Sequence, residues 1–329
     1  MNLNKFLSES GFTTRDFYGA SGAIGDGCVD SSDEYPCFYD SSFWTILKVS
    51  GDDRQSYLNG QTSNDLLKIS LGNGQASSLN TPKGKTLSLL EIFRSADFYY
   101  LMYPKAAHEK VMEQLDLYLF TEDVYLEVLE PSCTITFPYD FSMEKIKNLH
   151  DLDFHEGSQQ VWEKDSILIL RGNPFQIPSI TVVSMQPMDL GFLKEGWKPL
   201  CSEFLEKERI RHLYPLPCLE YEFEKTMTPE LDQKDIISYS KGCFVGQEVF
   251  ARIRTYGKTN RTLAAICLND HGNQDLSGLT IEVQGVSKGE VTSQIQYQGK
   301  VYALGFIPTA YKEITKEVLV GNQSGEIIG

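Results

Sequence analysis

Residues 241–252 read KGCFVGQEVFAR. One cysteine, Cys243, stands between Gly242 and Gly246, two positions after Lys241 and five before Glu248. A thiol that only fills core volume needs neither glycines nor charges beside it. A reactive thiol uses both: positive charge favours the thiolate, and glycines clear bulk from around the sulfur and admit backbone angles other residues resist. A helix beginning after Gly246 would turn its amide end toward the same negative charge. Gln247 and Glu248 suit a first helical turn, and Val245, Val249 and Ile253 fall at helical spacing. A strand would instead put Phe250, Arg252, Arg254 and Tyr256 on one face, an arrangement suited to a flat anionic ligand. The helix is slightly favoured, and both readings stay open.

Charge singles out the same segment. The chain of 329 residues carries a formal net charge of −15, which argues against general affinity for nucleic acid or anionic membrane. From Lys241 to Arg261 the balance reverses to +4, with Lys241, Arg252, Arg254, Lys258 and Arg261 against Glu248 alone. Arg254, Lys258 and Arg261 are therefore candidates to hold an anionic ligand.

Other signals exclude more than they assign. No apolar run approaches the roughly 20 residues of a membrane helix, and the N-terminus lacks signal-peptide and transit-peptide patterns; the expectation is a cytoplasmic protein with no membrane partner. Seven scattered cysteines, none spaced C-x-x-C, argue against a disulfide framework or a zinc ribbon. His150 and His155, in HDLDFHEG, read as a solvated loop. Gly22, Gly25 and Gly27 follow no strand, and the GKT at 84–86 has Leu79 where a phosphate loop needs glycine, so neither makes a nucleotide site.

The length suits two or three domains. Residues 1–40 begin with a short helix and pass into a Gly/Ser/Asp-rich loop. FWTILKVSG is a strand, DDRQSYLNGQTSNDLL a short helix and turn, 86–94 and 97–103 a hairpin, and PKAAHEKVMEQLDLYLF a helix with Val111, Leu115 and Tyr118 on one face. Strands at 166–171 and 179–184 and a helix at 199–213 follow. This alternation predicts an α+β sheet covered on one side. After Arg261, TLAAICL, LTIEV, GEVTSQIQY, VYALGFI and EVLV predict a small β-barrel or sandwich.

The stretch Lys241–Glu248, with Ala251-Arg252 after it, resembles the K-G-C-aromatic-x-G-Q-E-x-x-A-R signature of the YgfZ family, folate-binding relatives of the glycine-cleavage aminomethyltransferase, the T-protein. DRQSYLNGQTSNDL, NTPKGKTLSLLEIFR, YLFTEDVYLEV and TPEL resemble further segments of that family. The resemblance implies two intertwined T-protein-like α+β domains, within residues 1–255, and a C-terminal β-barrel at 256–329, arranged around a channel that binds tetrahydrofolate. It implies a role in assembly or repair of iron–sulfur clusters in client enzymes, including tRNA-modifying enzymes. Cys243 would be the functional thiol and Lys241 its electrostatic partner, with Gly242, Gly246, Gln247, Glu248 and Arg252 forming the supporting loop. Two departures stand out. MYPKAAHEKV offers Lys110 where the T-protein has the aspartate that aminomethyl transfer requires, which argues against that enzymatic alternative. RIRHLYP places Arg211 where a glutamate contacts the pterin, which leaves a folate-free interaction scaffold as the other alternative.

Overall fold

The computed structural model describes residues 3–24, 28–29, 36–138, 159–257, 259–269, 275–312 and 314–329; His150, His155 and Lys258 lie outside them. Two mixed layers and a barrel make up the fold. One sheet has five strands in the order Gly74–Asn80, Thr86–Arg94, Tyr99–Pro104, Trp44–Ser50 and Tyr125–Val128. The other has six, in the order Gln160–Lys164, Ile167–Gly172, Ser179–Ser184, Cys133–Pro138, Cys37–Asp40 and Lys198–Pro199. Because Cys37–Asp40 pairs with Cys133–Pro138, the whole five-stranded sheet is threaded between two strands of its neighbour. The two units are intertwined.

Each sheet buries one face under helices. Val111 and Leu115 of the helix His108–Leu117, with Tyr57 and Leu58 of the helix Arg54–Gln61, cover the five-stranded sheet. Leu3, Phe6 and Leu7 of the N-terminal helix cover the six-stranded one. A large aromatic cluster, including Phe43, Trp44, Phe93, Phe175 and Tyr214, fills the space between the units.

Six strands from Arg261 to Ile327 close a barrel, and the closing contact pairs Ile266 with Ile327. That closing strand, Gln323–Ile327, was not expected from the sequence. Its Gly, Ser and Glu hide a strict in–out alternation, with Gln323, Gly325 and Ile327 buried. A second addition is Ala20–Ile24, which falls in the stretch expected to be loop and pairs with Thr13–Phe17. Tyr18 and Gly19 both take positive φ, 56° and 87°, the turn chemistry of a tight hairpin.

One cysteine pair is bridged. Cys28 and Cys201 form a disulfide with Cα atoms 5.4 Å apart, fastening the segment after Ala20–Ile24 to the start of the helix Ser202–Arg211. The expectation of no disulfide framework is amended by this single link, whose partners are 173 residues apart and unrelated by any spacing rule.

Candidate functional site

A helix does follow Gly246, spanning Gln247–Tyr256. Phe250 is its fully buried residue, so the strand-like grouping of Phe250 with Arg252 and Arg254 does not occur. Gly246 is required twice over. Its φ is 88°, and a Cβ there would come within 2.9 Å of the Thr81 carbonyl oxygen and 3.2 Å of Gly84 Cα. Three sequence segments meet here: the KGK turn at 83–85, the GQTSND stretch at 60–65 and the cysteine loop.

Lys241 makes the join. Its side chain is buried, and Nζ donates to the carbonyl oxygens of Asn59, Thr62 and Asn64 at 2.6, 2.8 and 2.7 Å. These carbonyls lie at and just beyond the C-terminal end of the helix Arg54–Gln61, where backbone acceptors run out of intrahelical partners. Burial pushes the lysine pKa down to about 8, against the opposing pull of Asp65. All three ammonium protons are thus committed to backbone, and Lys241 acts as a clamp on the loop. Val245 N donates to Gly60 O at 3.0 Å and Ser238 N to Ser63 O at 3.0 Å, completing the attachment. Beneath it runs a buried polar chain from Ser63 Oγ through Ser78 and Asn80 to Thr228.

Held this way, the loop presents Cys243 and Gly242 to solvent. Glu248 and Arg252 are also exposed, while Gln247 is half-buried. Arg254 lies over the Tyr239 ring at 4.6 Å, and Arg261 over Phe306 at 4.2 Å with weak contacts to Thr226 and Glu230. Among the remaining cysteines Cys218 is exposed, whereas Cys37 and Cys133 are buried, and burial with the charge of Asp40 pushes the Cys133 thiol up to about 12. Limited alkylation with iodoacetamide should therefore modify Cys243 and Cys218 well before Cys37 and Cys133. Mass mapping of early time points checks this, and preferential labelling of Cys133 would contradict the described packing.

A cavity of about 310 Å³ opens between the two sheets, lined in part by Leu89, Glu91, Gln159, Gln176, Tyr214 and Ile236, with Gln233 and the exposed Lys234. Glu91 is 8% exposed and sits on the strand Thr86–Arg94. Its Oε1 accepts from the Asn173 backbone N–H at 2.9 Å, while Oε2 is buried with no hydrogen-bond partner. Burial raises its pKa to about 7, opposed by the Asn173 bond and a weaker interaction with the Gln159 amide. Neither Arg254 nor Arg261 lines this cavity. Arg211 is half-exposed and pairs with Glu208 at 3.0 Å, also away from it. Glu91 went unnoticed in the sequence, although a lone carboxylate in the apolar run LSLLEIF was a visible signal. The segment from Gln233 to Gly246 leads directly from the cavity wall to the exposed cysteine.

No family model matches the sequence. Among curated relatives, the chloroplastic protein At1g60990 of Arabidopsis thaliana is 26% identical over 92% of this chain and 72% of its own length. The tRNA-modifying protein YgfZ of Aliivibrio fischeri is 24% identical over 88% of this chain and 91% of its own length. Among solved structures, the glycine cleavage system aminomethyltransferase T from Bartonella henselae superposes with a TM-score of 0.79 at 16% identity, covering 99% of this chain and 96% of that one. The fold is that of aminomethyltransferase T, with its closed C-terminal barrel. Within that class, several relatives bearing the name YgfZ over most of the chain, together with this fold, support assignment to the YgfZ family.

Proposed function

We propose that this chain is a folate-binding accessory protein of the YgfZ type, acting in the cytoplasm to support assembly or repair of iron–sulfur clusters in client enzymes, tRNA-modifying enzymes among them. Tetrahydrofolate is the cofactor of this reading, Cys243 the functional thiol, and residues 1–255 and 256–329 its folate-binding region and barrel domain. The observation that carries it is that the chain segment lining the amide-rich cavity at Gln233–Ile236 runs on to the exposed cysteine, on a loop clamped by Lys241. The cavity suits a bound heterocycle: its volume reaches the lower end of ligand pockets, roughly 300–1,000 Å³, and Leu89, Leu90, Pro178 and Ile236 give it apolar walls beside the amides of Gln159, Gln176 and Gln233.

Aminomethyl transfer is not part of this reading. Lys110 is half-exposed, pairs with Glu113 at 2.8 Å, and has its pKa raised by that hydrogen bond and charge. It stays protonated at neutral pH and cannot take up a proton.

Titration with tetrahydrofolate, followed by tryptophan fluorescence, tests the ligand. Trp44 packs edge-on against Tyr214 at 5.9 Å, and Tyr214 lines the cavity, so occupancy should alter its emission. In cells, deleting the gene or introducing Cys243→Ala should depress iron–sulfur enzyme activity and leave glycine cleavage intact. Turnover of a glycine-cleavage assay by the purified protein would reinstate the transferase, and absence of saturable tetrahydrofolate binding would leave the folate-free scaffold.

A further inference from the structure

A sheet leaves backbone hydrogen-bonding groups unused along its outer strands, and folded proteins cover or blunt those edges. Among the described residues, three of the four outer edges of the two large sheets are met by neighbouring chain. Thr62 bridges to Leu79 of Gly74–Asn80, Asn73 to Gln160 of Gln160–Lys164, and Val29 to Leu200, just after Lys198–Pro199. The fourth outer strand, Tyr125–Val128, pairs with Trp44–Ser50 on one side. No strand or bridge among the described residues meets its other side.

The register decides what this edge offers. Leu129 N donates to Ile46 O at 2.9 Å, so the alternating antiparallel ladder turns the backbone groups of Glu127 and Tyr125 inward, to Lys48 and Ser50. The N–H and C=O of Leu126 and Val128 are thereby aimed at the open side. Large side chains stand exposed beside them. Tyr125 is 65% exposed, and Phe120, in the connection that leads into the strand, is 81% exposed. Leu117 and Val128 are exposed as well.

Charge selects the occupant. From Glu109 to Glu130 seven carboxylates stand against Lys110 alone, a balance of −6, and Lys110 is itself paired with Glu113. Asp52 N donates to the Asp123 carboxylate and Asp123 N to that of Asp53, both at 2.9 Å, which brings two more acids to the start of the strand. Lys48 is committed to Glu127 at 3.1 Å. A second copy of this chain would bring the same carboxylates edge to edge, where like charges repel. A lysine- or arginine-rich partner is attracted instead, and its cations can also lie over the Phe120 and Tyr125 rings.

We propose that the outer edge of Tyr125–Val128 is a docking site for an extended, basic segment of a partner protein, which joins the sheet as an added strand. Its backbone pairs with Leu126 and Val128, its aliphatic side chains cover the exposed apolar ones, and its cations meet Glu122, Glu127 and Glu130. In such pairing the main chain supplies affinity and alternate side chains supply selectivity. None of these residues lines the cavity of Leu89 and Gln233 or belongs to the cysteine loop, so the inference is independent of the folate reading.

The test titrates the full chain with three short synthetic peptides and follows amide hydrogen exchange. One alternates lysine with valine and one alternates glutamate with valine. The third is the lysine–valine peptide N-methylated at every backbone amide, which keeps the charge and cannot donate to a ladder. The lysine–valine peptide should bind, less tightly as salt is added, and at saturation should slow exchange at Leu126 and Val128 by about 10-fold or more. Val128→Pro, which removes an outward N–H and leaves the ladder to Trp44–Ser50 intact, should weaken binding by about 10-fold. Glu127→Gln combined with Glu130→Gln should weaken it roughly 2- to 5-fold. Circular dichroism and urea unfolding verify that the variants fold.

Equal binding of the methylated peptide, or unchanged exchange at Leu126 and Val128, would reduce the attraction to bulk charge and overturn the docking site. Equal binding of the glutamate–valine peptide would overturn the basic partner. Sedimentation velocity showing a dimer of the free chain, abolished by Val128→Pro, would assign the edge to a second copy and overturn the proposal. Failure of the lysine–valine peptide to bind would overturn it too. Each of these failures leaves the folate reading standing.

Discussion

Arg209→Met is expected to destabilise the protein by about 3–5 kcal/mol, the usual cost of stranding buried carboxylates. Arg209 is fully buried, pairing with Glu206 at 2.6 Å and Glu220 at 3.0 Å. It also donates to the Tyr214 carbonyl at 2.7 Å and to Ser293 Oγ at 2.9 Å. Tyr18 OH and the Leu216 N–H supply further donors to the two carboxylates. The group ties the helix Ser202–Arg211 to the barrel strand Val286–Tyr297, so its loss loosens the barrel from the rest of the chain. Arg209→Lys should not restore stability, because an ammonium cannot reproduce the guanidinium fork. The combination of Arg209→Met with Glu206→Gln and Glu220→Gln should recover much of the loss by removing the unpaired charge. Urea unfolding of the three variants decides it; a single-variant cost under about 1 kcal/mol would show that water or rearrangement compensates the carboxylates.

The second large effect runs the other way. At pH 8, Glu91→Gln should stabilise the unliganded protein by about 3 kcal/mol. The folded pKa of about 7 lies above the ordinary value of 4.5. Below the lower value both folded and unfolded chains are protonated, and the side chain is neutral in either state. As pH rises from about 4.5 to 7 the unfolded chain ionises first, so stability falls across that window and stays lower above it. Glutamine keeps the acceptor for the Asn173 N–H and removes the ionisation. Tyr214, which couples electrostatically to Glu91, does not confuse the window, since burial holds it far above its normal range and neutral. Chemical denaturation at pH 5 and pH 8 should show a difference between variant and wild type that grows with pH. A constant difference would mean that ionisation is not its source. A residue that costs stability when empty and lies in a cavity is what a binding site, rather than a core, requires.

How much of this was legible in the sequence depends on range. Most barrel strands are legible because alternation and turn residues are local, whereas after Gly246 helical and strand spacings compete in the sequence and the helix is settled by burial of Phe250. The closing strand Gln323–Ile327 escaped because its buried positions include Gln and Gly, which carry no apolar signal. Cys243 could be singled out by its neighbours, but the partners of Lys241 could not: the sequence places a charge two residues from a thiol, while folding carries it to three carbonyls about 180 residues away. Those bonds give the lysine a mechanical role that its place in the sequence does not show. The disulfide between Cys28 and Cys201 was hidden for the same reason of distance.

The clamp also bears on how the chain is made. The carbonyls of Asn59, Thr62 and Asn64, and the polar chain from Ser63 to Asn80, leave the ribosome long before Lys241 and Thr228 that complete them. At a synthesis rate of about 5–20 residues per second the wait is roughly 10–40 s. Through that interval the carbonyls at the end of the helix Arg54–Gln61 and the Ser63–Asn80 polar chain lack the partners that complete them. An early stop before residue 241 would release a chain whose first two hundred residues lack their lock, a substrate for chaperones and proteases rather than a smaller working protein.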